Sequence, residues 1–89
     1  MKDSPNETME FPTEFSIKAI GRDRDDFQAL VFALVQRHAP ELEPEALRSR
    51  PSGKGSYRSV TITIQARSRE QLDAIYRELN AHQRILMTL

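Results

Sequence analysis

The stretch Tyr57-Arg58-Ser59-Val60-Thr61-Ile62-Thr63-Ile64-Gln65-Ala66 alternates along its length. Val60, Ile62, Ile64 and Ala66 fall on one side, and Ser59, Thr61, Thr63 and Gln65 on the other. A period of two sends successive side chains to opposite faces of a strand. The β-branched residues suit a central one. The remaining sequence must therefore supply neighbouring strands and a cover for the apolar face.

Upstream, Ser52-Gly53-Lys54-Gly55 has the composition of a hairpin loop. Ala46 to Arg50 before it reads as a short strand that ends at Pro51. Further back, Glu14 to Gly21 alternates again, with Phe15, Ile17 and Ala19 on one side and Ser16, Lys18 and Ile20 on the other. Phe27, Leu30, Val31, Leu34, Val35 and His38 then recur at helical spacing and form one apolar stripe. Asp23, Asp25 and Asp26 stand where they would complement the positive end of that helix, Arg37 and His38 stand at the opposite end, and Pro40 stops it. Downstream, Ser68 with Gln71 three residues on reads as a capping box. Leu72, Ile75, Tyr76 and Leu79 follow as the stripe of a second helix, with Asn80 as a left-handed stop. Arg84 to Leu89 is a last strand with Ile85, Met87 and Leu89 on one face.

The order is β-α-β-β-α-β. Two helices with one apolar stripe each, and strands with one apolar face each, pack most simply as two layers. With right-handed crossovers this predicts an α+β, ferredoxin-like βαββαβ sandwich: a four-stranded antiparallel sheet with both helices on one face, first and third strands central, second and fourth at the edges. Residues 1–10 are polar and cannot repay the entropy of ordering, so they read as a flexible tail before a single domain over 11–89. Phe11-Pro12 stands where it can pin the chain to the domain edge.

An 89-residue chain loses only roughly 60–65% of its surface on folding, so nearly every apolar position must serve the core. The absence of cysteine excludes disulfides, thiolate zinc sites and a cysteine nucleophile. No apolar run is long enough to span a bilayer or serve as a secretion signal, which predicts a cytoplasmic protein without a membrane partner. Net charge is zero but unevenly placed: no acid occurs between Glu45 and Glu70, while Arg48, Arg50, Lys54, Arg58, Arg67 and Arg69 all do.

Chemistry is hard to place on these residues. His38 and His82 lack partners at metal-ligand spacing, the aspartates look solvated, and no phosphate loop or nucleophile elbow is present. The reading is no catalytic residue, no metal and no cofactor. Lys54-Gly55 leading into the third strand stands where RNA-reading βαββαβ domains carry a basic residue and glycine. However, Ser56 and Arg58 occupy the stacking positions, and Tyr57 alone makes no two-base platform. The glycines of that loop suit positive φ, and no helix follows them to bind an anion.

Three motifs carry a resemblance: Glu10-Phe11-Pro12, Arg37-His38-Ala39-Pro40, and Lys54-Gly55-x-Tyr57-x-Ser59-Val60-x-Ile62. Together they resemble the YbeD family of small bacterial proteins. The resemblance implies a cytoplasmic ferredoxin-like domain, close in shape to the ACT-type regulatory domains that bind small effectors, with no assigned activity and a suggested link to lipoate metabolism. Effector sites of that type use a glycine at the turn after the first strand. Gly21 is near that place, but the charged run Arg22 to Asp26 that follows is unlike an amino-acid pocket.

The function expected is a non-enzymatic regulatory or adaptor domain. It would bind a protein partner or a small anionic effector through Arg48, Arg50, Lys54, Gly55, Tyr57 and Arg58. The alternative is a single-stranded nucleic-acid binder on the same basic hairpin, which the missing aromatics disfavour. The uncharged last strand predicts a monomer or a weak homodimer, with Leu86 as the contact.

Overall fold

The computed structural model describes residues 9–89. Strand β1 (Thr13–Arg22) leads into helix α1 (Phe27–Gln36); a single 3-10 turn (Pro44–Ala46) precedes β2 (Leu47–Ser52), followed by β3 (Tyr57–Ala66), α2 (Arg69–Ala81) and β4 (Met87–Thr88). The sheet order is β2-β3-β1-β4, antiparallel throughout. This is the ferredoxin-like layout. Its spine is the β1–β3 ladder, paired from Thr13↔Ala66 to Arg22↔Tyr57. The tail reading over residues 1–8 lies outside the described residues. Met9 is half-buried against the core, as is Phe11.

Register decides the two faces. Ile17 and Ala19 stand opposite Ile62 and Val60, and these four are at most 1% exposed. Phe27, Val31, Leu34 and Val35 of α1 and Leu72, Ile75 and Leu79 of α2 bury their stripes in the same core, closed by Ala39, Leu42 and Ile85. Gly21 ends β1 where no side chain fits. A Cβ there would lie 2.4 Å from the Phe27 ring and 2.5 Å from the Arg84 carbonyl oxygen.

Several local expectations are corrected. Helix α1 starts at Phe27, with Asp26 in the left-handed region (φ 53°) as an N-cap whose side chain caps nothing. Asp25 is left-handed too (φ 52°), and Asp23 turns away to an arginine described below. The aspartates thus shape a turn and do not line the first turn of the helix. Arg37 and His38 both reach α2: Arg37 Nη1 lies 2.7 Å from Glu78 Oε2, and His38 Nε2 lies 2.6 Å from Glu78 Oε1. At α2 the Gln71 N–H donates to Ser68 Oγ (3.0 Å), as a capping box requires. The Gln71 side-chain Oε1, however, accepts from Arg67 N–H (2.6 Å), one residue before the cap, while its Nε2 donates to the His38 backbone carbonyl (2.8 Å). Asn80 stays helical inside α2 and accepts the Thr88 hydroxyl at 3.0 Å.

The last strand is shorter than its alternation predicts. The Arg84 N–H donates to His82 Nδ1 and the Ile85 N–H to the His82 carbonyl, a turn that delays extended pairing. Leu86 N–H then donates to the Ile20 carbonyl although Met87 is the register partner of Ile20, so Leu86, just before β4, and Met87 both address one residue of β1. Ile85 points into the core, while Leu86, Met87 and Leu89 are exposed. β2 is displaced as well: the 3-10 turn starts it at Leu47, and Pro51 lies within it opposite Arg58, which an edge strand tolerates.

Candidate binding surface

The helix-free face of the sheet is built from the residues that alternate with the core. Across three strands the rows read Arg48–Thr61–Lys18, Arg50–Ser59–Ile20 and Ser52–Tyr57–Arg22. Strands lie about 4.8 Å apart, so the Arg48 and Lys18 backbones are about 10 Å apart on one face. The hydroxyls between them continue into Ser16, whose Oγ lies 3.0 Å from Thr63 Oγ1. Arg22 lays its guanidinium over the Tyr57 ring, 5.4 Å from its centroid. Arg48, Arg50, Ser59 and Thr61 line a shallow depression of ≈ 300 Å³. No ion pair among the described residues involves Lys18, Arg22, Arg48 or Arg50.

The candidate residues divide by face and by commitment. Arg48 and Arg50 are exposed on the open face. Arg58 lies on the helix side, in step with Val60 and Ile62, and is already engaged. Its Nε donates to Asp23 Oδ1 (2.9 Å), Nη2 to Asp23 Oδ2 (3.2 Å) and Nη1 to Ser49 Oγ (2.7 Å). The hydrogen bond from Arg58 holds the Asp23 carboxyl below its ordinary pKa, with burial opposing and charge attraction assisting, and the same bond raises the Arg58 pKa. Arg58 therefore staples the turn after β1 to the β2–β3 hairpin.

Lys54 sits at the hairpin tip with φ 60°, between Gly53 (φ 58°) and Gly55 (φ 87°). The Gly55 and Ser56 N–H groups donate to the Ser52 and Gly53 carbonyls, so these amides serve the turn. Tyr57 packs its ring against Gly53, where a Cβ would come within 2.7 Å of it. Leu86 is 57% exposed on the β4 side.

Two features escape a reading along the chain. Lys18 and Arg22 join Arg48 and Arg50 only once β1 is known to lie beside β3; the outward phase of Lys18 was the available signal. At the far end of the sheet, Glu14, Glu41, Glu43 and Glu45 line a cleft of ≈ 590 Å³ beside Thr63, Ile64 and Gln65. Four of the thirteen acids are thus held away from the cationic rows. Among the described residues no group of three or more His, Asp or Glu side chains is arranged to hold a metal, and no helix is long and apolar enough to cross a membrane.

Fold and surface together define a small ferredoxin-like domain with one covered and one open, cationic sheet face. The chain belongs to the family described as "Protein of unknown function (DUF493)", whose model matches residues 6–89. Its relatives are the UPF0250 proteins, the YbeD family that the three motifs resemble. It is 42% identical to UPF0250 protein RSc0326 of Ralstonia nicotianae, over 96% of this chain and 89% of the relative. It is 38% identical to a UPF0250 protein of Leptothrix cholodnii over the full length of both. The solution structure of protein HP0495 from H. pylori shares the fold, with a TM-score of 0.70 at 13% identity over 98% of this chain and 91% of that one.

Proposed function

We propose that this domain is a non-enzymatic regulatory or adaptor module that receives an acidic surface of a partner protein on its open sheet face. The observation that carries the reading is the position of Lys18, in one row with Arg48. Charges on β2 alone would be explained by protection of an exposed edge, since charge and proline discourage strand pairing. Lys18 lies on β1 beside Thr61 of β3 and exchanges both backbone hydrogen bonds with Leu89 on its other side, so at that position there is no edge to protect. A surface needed only for solubility intersperses both signs. Here cations stand in adjacent rows, and the nearest acid in phase on β1, Glu14, is at the other end of the face.

A protein surface is favoured over nucleic acid because the face offers one aromatic ring, Tyr57, already covered by Arg22. The link to lipoate metabolism suggested for the family makes enzymes of that pathway the first partners to test. Affinity capture from a native lysate, split with and without nuclease, tests the reading. Wild type is expected to retain a protein that Arg48→Glu/Arg50→Glu loses, with nuclease making no difference. Retention by the reversed variant, or loss on nuclease treatment, would overturn it.

A further inference from the structure

A second cationic feature lies where β1 leaves the sheet. Arg22, Arg24, Gln83, Arg84 and Leu86 line a pocket of ≈ 240 Å³ between the turn after β1 and the turn before β4. It is built from two parts of the chain that meet only because β4 docks beside β1. Gly21 makes the approach possible, since the Arg84 carbonyl packs where its Cβ would stand.

Arg84 holds the pocket together. Its Nη1 donates to the Asp25 carbonyl at 3.0 Å and its Nη2 to the Arg24 carbonyl, while the guanidinium lies 5.6 Å from the centroid of the Phe27 ring. Two of five N–H donors are thereby used, and the charge is neutralised by no carboxylate among the described residues. Arg22 and Arg24 form no ion pair among those residues either. The adjacent carboxylate of Asp23 is taken by Arg58, and those of Asp25 and Asp26 pair with none of the three arginines. Three arginines line one small concavity with Gln83 beside them, the Arg22 guanidinium lying over Tyr57 at its margin, and so gather positive charge around a single volume.

We propose that this pocket binds a small phosphate-bearing anion, gripped by Arg24 and Arg84 with Arg22 at the rim. Guanidinium forks match phosphate oxygens two at a time, and several of them suit a di- or trianion better than a single carboxylate. Arg48 and Arg50 take no part in this site, and Arg22 is the residue it shares with the open face.

The test is an NMR titration of the full chain with inorganic pyrophosphate, and in a second arm with succinate, at constant ionic strength set by sodium chloride. Pyrophosphate is expected to give saturable shifts at the Arg22, Arg24, Arg84 and Leu86 amides, with succinate binding more weakly. Arg24→Gln changes an exposed side chain and should weaken pyrophosphate about tenfold, the loss of one charge-assisted contact. Arg84→Lys keeps the charge, loses the fork and should weaken binding as well, while Arg48→Gln/Arg50→Gln should leave the affinity unchanged. Non-saturable shifts, equal shifts at Arg48, Arg50 and Lys54, equal affinity for succinate, or an unaltered Arg24→Gln variant would each overturn the proposal.

Discussion

The two faces of this sheet are made from the same strands and differ in what constrains them. On the helix side every position from Val60 to Ala66 in phase with Ile62 is buried, and the residue types follow from packing. On the open side the alternate positions are covered by no helix, yet they hold Lys18, Arg22, Arg48 and Arg50 without a paired acid among the described residues. Where packing chooses a residue, its identity reports the fold. Where packing is indifferent, a one-sign pattern reports something outside the fold.

The sharpest way to break this contrast is a pair of neighbours on β3. Ile62→Ala removes a side chain with no exposure and should cost about 2–5 kcal/mol in a denaturant melt. Thr61→Ala, one residue away on the open face, should cost less than about 1 kcal/mol, the span of strand preference. Similar losses at both would mean that the open face is itself packed.

A smaller effect separates Arg58 from the other cations of the hairpin. Asp23 has a lowered pKa in the folded state, so its contribution is present above its unfolded pKa and lost as pH falls through the folded value. Wild type should therefore exceed Asp23→Asn in stability above about pH 5, and the gap should close below the ordinary value of 3.8. Both groups face solvent, so added salt should narrow the gap. A difference between the two proteins that stays constant with pH would contradict the staple.

Much of this was readable along the chain, and the losses have physical causes. Alternation in β1 and β3 and the stripes of α1 and α2 are local signals, so elements and layers follow from them. The Asp23–Arg58 pair joins residues 35 apart, and the Arg84 bond to the Arg24 carbonyl spans 60, so neither exists until the sheet order does. Alternation through Ile85 predicts a longer β4 than forms, because the turn closed on His82 shows no signal in hydropathy. The basic hairpin was legible as composition; its division into an engaged Arg58 and exposed Arg48 and Arg50 needed the phase of each residue against the core.

The least effect is expected at the β4 edge. Two ladder residues present few unpaired groups, so we propose that self-association through Leu86 is weak and concentration-dependent. Light scattering across a dilution series should show monomer at low concentration, and Leu86→Lys should abolish any dimer. A tight dimer that survives Leu86→Lys would remove the edge from consideration.

If the cations of the open face form one binding surface, Lys18 belongs to it. Its backbone is bonded to Leu89 on the side away from β3, so edge protection predicts nothing for it, while a binding surface predicts a large effect. Lys18→Glu should keep the wild-type thermal midpoint within a few degrees, as surface substitutions do. In capture from a nuclease-treated lysate it should lose the same partner that Arg48→Glu/Arg50→Glu loses. A folded Lys18→Glu protein that retains this partner at the wild-type level would show that the open-face cations do not act as one surface.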